Sequence, residues 1–442
     1  MARRRLFQPE PGRANGQSGI MSGNRKLLIL LSGAFVLDHM DRHILSITLD
    51  QIGQEFSLND LALGALSGLA FAVFFGVLGV PLAKLARPGQ RRLLAAGTLA
   101  AWSALTALTA ASGSYLHLLL ARMGVAISEA GFTPAAHSMI ADSYPEGRRA
   151  GAFAFFSAGA NIGLFLAFLV GGVVASAYGW RAAFLVAGLP GLVIAFVIWV
   201  RLVEPLPAAP GRQVPAAAGP GIAGVWRRMM RQPSTRLVLL GAVLTATVNY
   251  GGIAWVAAFL IRRYGLEVDH VGIYLAAVAG LLGGTATFAC GMAADRLGAR
   301  NPAWRIGLVA LTLAAAKLLA IAAYLQPSAL PALALLAFPA MMGGIYLGPT
   351  FGHVYSRVPD AERPQASAII LLLLNLIGIG LGPLLVGAIS TALQSGTTDD
   401  RALMFALTAL QGLGLLGAVA FFGATRCRDL RQADRQDRNA GA

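Results

Sequence analysis

Long apolar runs separated by short polar segments make up most of this chain. A helix that crosses a membrane needs about 20 mostly apolar residues. Twelve stretches meet that requirement: 27–50, 61–84, 93–112, 115–141, 149–177, 181–202, 235–261, 271–293, 304–324, 329–356, 366–393 and 402–424. The pattern predicts an all-α membrane protein with twelve transmembrane helices, flanked by tails 1–26 and 425–442. One connection is long, 203–234. It carries Pro205, Pro207, Pro210, Pro215 and Pro220, then a run from Val225 to Arg231 with Trp226 beside Arg227 and Arg228. That run reads as an amphipathic helix lying on a membrane surface. The chain thereby divides into two six-helix bundles, 27–202 and 235–424.

Composition agrees with a lipid solvent. Charged residues are 12% of the 442, against about 25% in soluble proteins. Mean hydropathy is +0.66. The net charge of +15 would suit a nucleic-acid binder, but its placement argues otherwise. Of the 35 Lys and Arg, 28 fall on one side of the predicted spans. Only Arg181, Arg262, Arg263 and Arg401 fall on the other, and Arg42, Arg122 and Lys317 lie within spans. Such a bias marks the cytoplasmic side, so both termini are expected in the cytoplasm of a cell whose inner or plasma membrane holds the protein. No nucleic-acid partner is expected. Cys290 and Cys427 offer neither a disulfide framework nor metal-ligand spacing. Arg3, Arg4 and Arg5 precede no apolar run, so no cleaved signal peptide is expected, and Met21 is a candidate start.

The halves read as copies. Pro145 and Arg149 follow span four as Pro359 and Arg363 follow span ten, and Arg181-Ala182 opens span six as Arg401-Ala402 opens span twelve. Gly291, Asp295, Arg296 and Arg300 close span eight, where the loop after span two has Ala83, Arg87, Pro88 and Arg92. Duplicated six-helix halves are a transporter architecture with the substrate near the midplane.

The Gly291-x-x-x-Asp295-Arg296 element and the six-plus-six plan resemble the major facilitator superfamily over essentially the whole chain. The first half looks like its spinster-type transporters, in Asp38-His39-Met40-Asp41-Arg42, in the stretch from Arg122 to Asp142, and in Gly179-Trp180-Arg181. The resemblance implies that spans one and four line a central cavity and that spans two, five, eight and eleven join the halves. It implies a cytoplasmic gate involving Asp295, Arg296, Arg300 and Arg92, with Arg87 standing where the family has an acid. It also points to lysophospholipids and sphingoid phosphates as a substrate class. Small-xxx-small pairs at Gly64/Gly68, Gly159/Gly163, Gly280/Gly284 and Gly378/Gly382 are expected at the contacts between halves.

Ionised groups in the bilayer core cost several kcal/mol, so retained ones face protein or water. Span one brings Asp41 and Arg42 roughly 20 Å into the membrane, and span four, running back, brings Glu129 near its middle. Arg122 and Glu129, seven apart, share a face, and Asp38 is four residues from Arg42. The expected charge switch has Asp41 and Glu129 as proton-holding groups and Arg42 and Arg122 as partners and headgroup ligands. In the second half Asn249, Tyr250, Tyr346, Thr350 and His353 are candidates for the opposite wall. Lys317, alone in span nine, is expected to snorkel or meet a carbonyl, and His137 is expected to pack between helices.

A strongly polar first half facing a second half rich in Phe338, Met341, Met342 and Trp255 suits an amphipathic, lysolipid-like molecule with an anionic or zwitterionic head. A monomeric transporter in the bilayer is expected, with no cofactor and with protons as the coupling ion. A proton-coupled drug exporter and a carrier of small organic anions stay open. The exporter's usual Gly-Pro pair is absent from Gly159 to Gly172 in span five. A membrane-embedded enzyme is remote, because the sequence carries no long external loop, metal cluster or nucleotide motif. The chain is not expected to be an enzyme.

Overall fold

The computed structural model describes residues 11–205, 221–301 and 303–429, without the side chains of residues 11–23, 80, 83, 295, 299 and 300. The described residues form helices joined by short turns and contain no strand. Span one is Pro11–Glu55. Span two is Asp60–Gly64, a π turn Ala65–Leu69 and Ala70–Ala83. Span three is Arg91–Thr109, and span four is Tyr115–Glu129 continued by Phe132–Ser143. Spans five and six share Glu146–Arg201, divided at Gly179, whose φ of 82° lies in the left-handed region that a glycine enters at little cost.

Beyond the linker helix Gly221–Arg231, span seven is Pro233–Tyr264. Span eight is Val268–Leu275, a π turn Ala276–Leu282 and Gly283–Arg300, and span nine is Ala303–Tyr324. Span ten is Ala329–Met341 and Leu347–Tyr355. Span eleven contains Arg363–Leu373, a π turn Leu374–Ile379 and Gly380–Leu393; span twelve is Asp399–Thr425. Seven of these helices are long and apolar enough to cross a membrane by length and composition alone. Span one carries too many charges to join them, span three is not apolar enough, and spans four and ten are broken near their middles, at residues 130–131 and 342–346.

The linker's apolar run is helical, but Val225 and Met229 are buried in the core of the second half, and Arg228 pairs with Glu362 at 3.0 Å. Its apolar face thus turns to protein, while Trp226 remains exposed. The prolines at 207, 210, 215 and 220 lie outside the described residues.

Glycines set the closest approaches. A methyl on Gly64 would lie 2.6 Å from the Pro383 carbonyl oxygen, and one on Gly68 2.7 Å from that of Gly380, so spans two and eleven touch backbone to backbone. Gly280 likewise meets the Phe165 backbone, joining spans eight and five. The other expected pairs serve elsewhere. Gly159 and Gly163 receive span one, and Gly378 and Gly382 receive span seven, both within one half. Of span five's own glycines, Gly172 rather than Gly159 or Gly163 meets the second half, against Gly272, because the face at Gly159 is already occupied by span one. The π turns fall in spans two, eight and eleven, three of the four helices that join the halves, and such turns widen a helix locally and recur at functional sites.

Candidate functional site

Span one carries its charges on successive turns, and span four answers them. Arg42 donates through Nε to Glu129 Oε2 at 2.9 Å and through a terminal nitrogen to Asp38 Oδ1 at 3.1 Å. Asp38 and Glu129 are fully buried, and Arg42 is 16% exposed. His39 Nδ1 lies 3.0 Å from the other Asp38 oxygen. Arg122 points at the same place but donates to the Arg42 carbonyl at 3.2 Å. Asp41 is in no ion pair among the described residues; it lines a small cavity with Arg122 and accepts a hydrogen bond from Thr106 of span three at 2.6 Å. The cluster thus spans three helices, one more than the sequence indicated.

Aromatic faces complete its lining. The Phe71 ring lies 5.2 Å from the Arg42 guanidinium and 4.8 Å from that of Arg122, and Phe75 lies 4.8 Å from Arg42. A ring quadrupole attracts cations and cannot neutralise them. Glu129 Oε1 and Arg122 Nε have no hydrogen-bond partner among the described residues, so each keeps bonding capacity for an exchange.

One space opens on this cluster and a second adjoins it. The smaller, about 60 Å³, is lined by Arg42, Arg122, Phe71 and, from the second half, Tyr250. The larger, about 270 Å³, shares His43, Tyr250 and Ile253 with it and runs into the second half past Asn249, Tyr346 and Met341. Asn249 and Tyr346 therefore join Tyr250 on the opposite wall. Thr350 and His353 do not line either space: Thr350 donates to the Tyr346 carbonyl of its own helix, and His353 Nε2 lies 3.2 Å from Ser234 Oγ. Span ten breaks at 342–346; Leu347 just beyond the break still lines the larger space, while Thr350 and His353 further along do not. Lys317 does not snorkel. It is 5% exposed and donates to Asn249 Oδ1 at 2.8 Å, inside the larger space. His137 packs edge-on to Phe153 and Phe156, as expected for a helix-packing residue.

The halves are tied polar-to-polar at the end away from the basic loops. Arg262, closing span seven, pairs with Asp50 of span one at 2.5 Å and Asp60 of span two at 2.8 Å. Asp60 also accepts from Ser390 of span eleven at 2.6 Å. Along the chain Arg262 reads as a loop cation, and no local signal distinguishes it from Arg263, which pairs with Asp400 in its own half. Nearby Glu55 accepts from Trp180 Nε1 at 2.7 Å and from Arg181, so the Gly179-Trp180-Arg181 motif clamps span six to span one. Among the described residues no ion pair joins the halves at the basic end.

At that basic end Arg91, not Arg92, is the buried node. Its guanidinium, 1% exposed, meets Asp142 at 2.5 Å, Glu204 at 2.8 Å and the Pro205 carbonyl at 2.7 Å. Burial pushes the Glu204 carboxyl up, but the bond from Arg91 and the N–H groups of Arg92 and Gly89 outweigh it and hold it below the usual range. Arg92 donates its backbone N–H to Glu204 at the start of the linker and its guanidinium to the Leu202 carbonyl of its own half. Arg296 is exposed, and the side chains of Asp295 and Arg300 lie outside the described residues.

The comparisons agree with this architecture. Residues 31–383 match the family model described as Major Facilitator Superfamily. An "MFS-type efflux pump" of Mycolicibacterium smegmatis is 31% identical over 88% of this chain and 90% of its own length. "Protein spinster homolog 1" of Bos taurus is 27% identical over 92% of this chain and 81% of its own. Among solved structures, a bacterial homolog of the human lysosomal transporter spinster, in an inward-facing and unoccupied conformation, superposes with a TM-score of 0.82 at 28% identity, covering 91% of this chain and 97% of that one. The chain belongs to the major facilitator superfamily as a spinster-like, multi-pass membrane transporter, not an enzyme.

Proposed function

We propose that this protein is a proton-coupled secondary transporter that works by rocker-switch alternating access. Its substrate is amphipathic, with an anionic or zwitterionic head of lysolipid type. The buried Arg42–Glu129 pair at 2.9 Å carries this reading. A ligand shifts a two-state equilibrium only if it binds the two states differently, and a pair that exchanges partners supplies such a difference. Charged Glu129 occupies Arg42. A proton on Glu129, or a substrate anion competing for the guanidinium, releases Arg42 from Glu129, leaves it on Asp38 alone and lets the halves move. Asp41, held by Thr106, is the second proton site. Arg42 and Arg122 provide planar donor forks suited to phosphate or carboxylate. The apolar wall of the second half takes the body. The basic loops face the cytoplasm, with both ends of the chain on that side of the cell membrane, and the working unit is a monomer.

Flux in proteoliposomes tests the reading, with labelled lysophospholipids and short organic anions, with and without an imposed pH gradient. Lysolipid flux that rises with the gradient and is poorly inhibited by short anions is expected. Flux indifferent to the gradient, or equal transport of short anions, rejects it. The relative described as an efflux pump supports a second reading, proton-coupled export of drug-like molecules; the same assay with a lipophilic cation separates the two.

A further inference from the structure

Span nine flanks the second half, yet Lys317 reaches the central space from it. Its stem crosses span twelve at Gly414, where an added methyl would lie 2.9 Å from the lysine Cγ and Cδ. Any side chain at 414 would obstruct that passage. Beyond it the ammonium donates to Asn249 Oδ1 at 2.8 Å. Asn249 is oriented in turn, because its Nδ2 donates to the Gly343 carbonyl at 2.8 Å in the broken part of span ten. Asparagine oxygen therefore faces the lysine.

An ammonium has three donors, and this one has a single partner among the described residues. Arg42, Arg91 and Arg262, the well-buried cations that form ion pairs, each hold two carboxylates. Lys317 takes part in none of the ion pairs of the described residues. A buried cation without an acid is costly, and one kept at a cavity wall is explained by negative charge arriving with a ligand. Tyr324 and Gln411 add polar groups beside it, while Val256, Leu336 and Ala320 keep the rest apolar.

We infer that Lys317 and Asn249 form an anion-recognition point in the second half, which takes a phosphate or carboxylate oxyanion of an amphipathic molecule whose apolar body lies along the cavity wall. This point is separate from the Arg42–Arg122 cluster, and the two share only the His43, Tyr250 and Ile253 boundary between their spaces. The inference deepens the transport reading and rests on it for the identity of the amphiphile.

Binding of four probes to the purified full chain in nanodiscs tests it: dodecyl phosphate, dodecanoate, dodecanol and dodecyltrimethylammonium. Lys317→Met is expected to weaken one or both anionic probes by about tenfold, a change of about 1.4 kcal/mol, and to leave dodecanol within about twofold. The two anionic arms separate phosphate from carboxylate. Lys317→Arg should retain most of the affinity. Gly414→Ala, which keeps the charge but obstructs the stem, should weaken the anions in the same order, and it stands in if Lys317→Met does not fold. Equal losses for charged and neutral probes, or unchanged anion affinity in Lys317→Met, overturn the inference. Should lysolipid flux persist while Lys317→Met binds anions normally, the anion point fails alone. Charge-selective binding without any flux instead supports the anion point and removes the transport reading.

Discussion

Arg262 and Asp60 lie 2.8 Å apart although 202 positions separate them in the chain, and the same guanidinium holds Asp50. One cation of the second half thus fastens the ends of the first two helices of the first half. The halves can part at that end only by breaking both pairs. Truncating one partner of a fully buried pair costs about 3–5 kcal/mol. With Arg262 16% exposed, a bias of about 2 kcal/mol is expected, roughly thirty-fold in the balance of states. Spin labels on Tyr178 and Leu330, both highly exposed at this end, should report a longer separation in Arg262→Ala. An unaltered distance distribution would show that the pair does not control opening.

Asp41→Asn and Glu129→Gln should remove the pH dependence of flux while the proteins still insert and melt cooperatively. Both substitutions keep side-chain size and retain a hydrogen-bonding oxygen. Asp41→Asn keeps an acceptor for Thr106, so its effect should fall on coupling more than on stability. Unchanged pH dependence in both variants would reject the exchange mechanism.

Arg91→Ala and Arg92→Ala differ by one position and should differ sharply in stability. Removing Arg91 strands two carboxylates against a buried face and is expected to cost about 3 kcal/mol. Removing Arg92 takes away one long bond to the Leu202 carbonyl and its backbone bond survives, so a loss under about 1 kcal/mol is expected. Thermal melts in detergent compare them, and equal losses would contradict the assignment of Arg91 as the node.

Acid should loosen the same corner. Glu204 has its carboxyl held below the usual range, so its stabilisation is fully present above the ordinary glutamate value of about 4.3. It is lost as pH falls through the lower folded value. Wild-type Tm should therefore decline more steeply than that of Glu204→Gln when pH is lowered from about 5 to 3. Parallel curves would show that Glu204 contributes nothing acid-sensitive.

Some of the site was legible along the chain. Asp38 and Arg42 are four apart on one helix, and helix rise alone brings Glu129 to the depth of Arg42. Lys317 was illegible in that sense: its depth is plain, but its direction depends on Gly414, ninety-seven residues further on. Arg262 reads as an external charge for the same reason, since Asp50 and Asp60 meet it only once two halves dock. Gly159 and Gly163 carry a correct packing signal with no address, and span one rather than the other half fills it.

Transfer into lipid depends on the residues of each segment taken alone, so the all-helical membrane fold, the division into halves and the depth of each buried charge were set by the order of residues. Which carboxylate a guanidinium meets depends on how each helix is rotated and on which neighbour approaches it. Those are properties of packed helices: Arg91 over Arg92, Gly172 over Gly163, and a lysine threaded past a glycine into the central cavity were decided only by the tertiary structure.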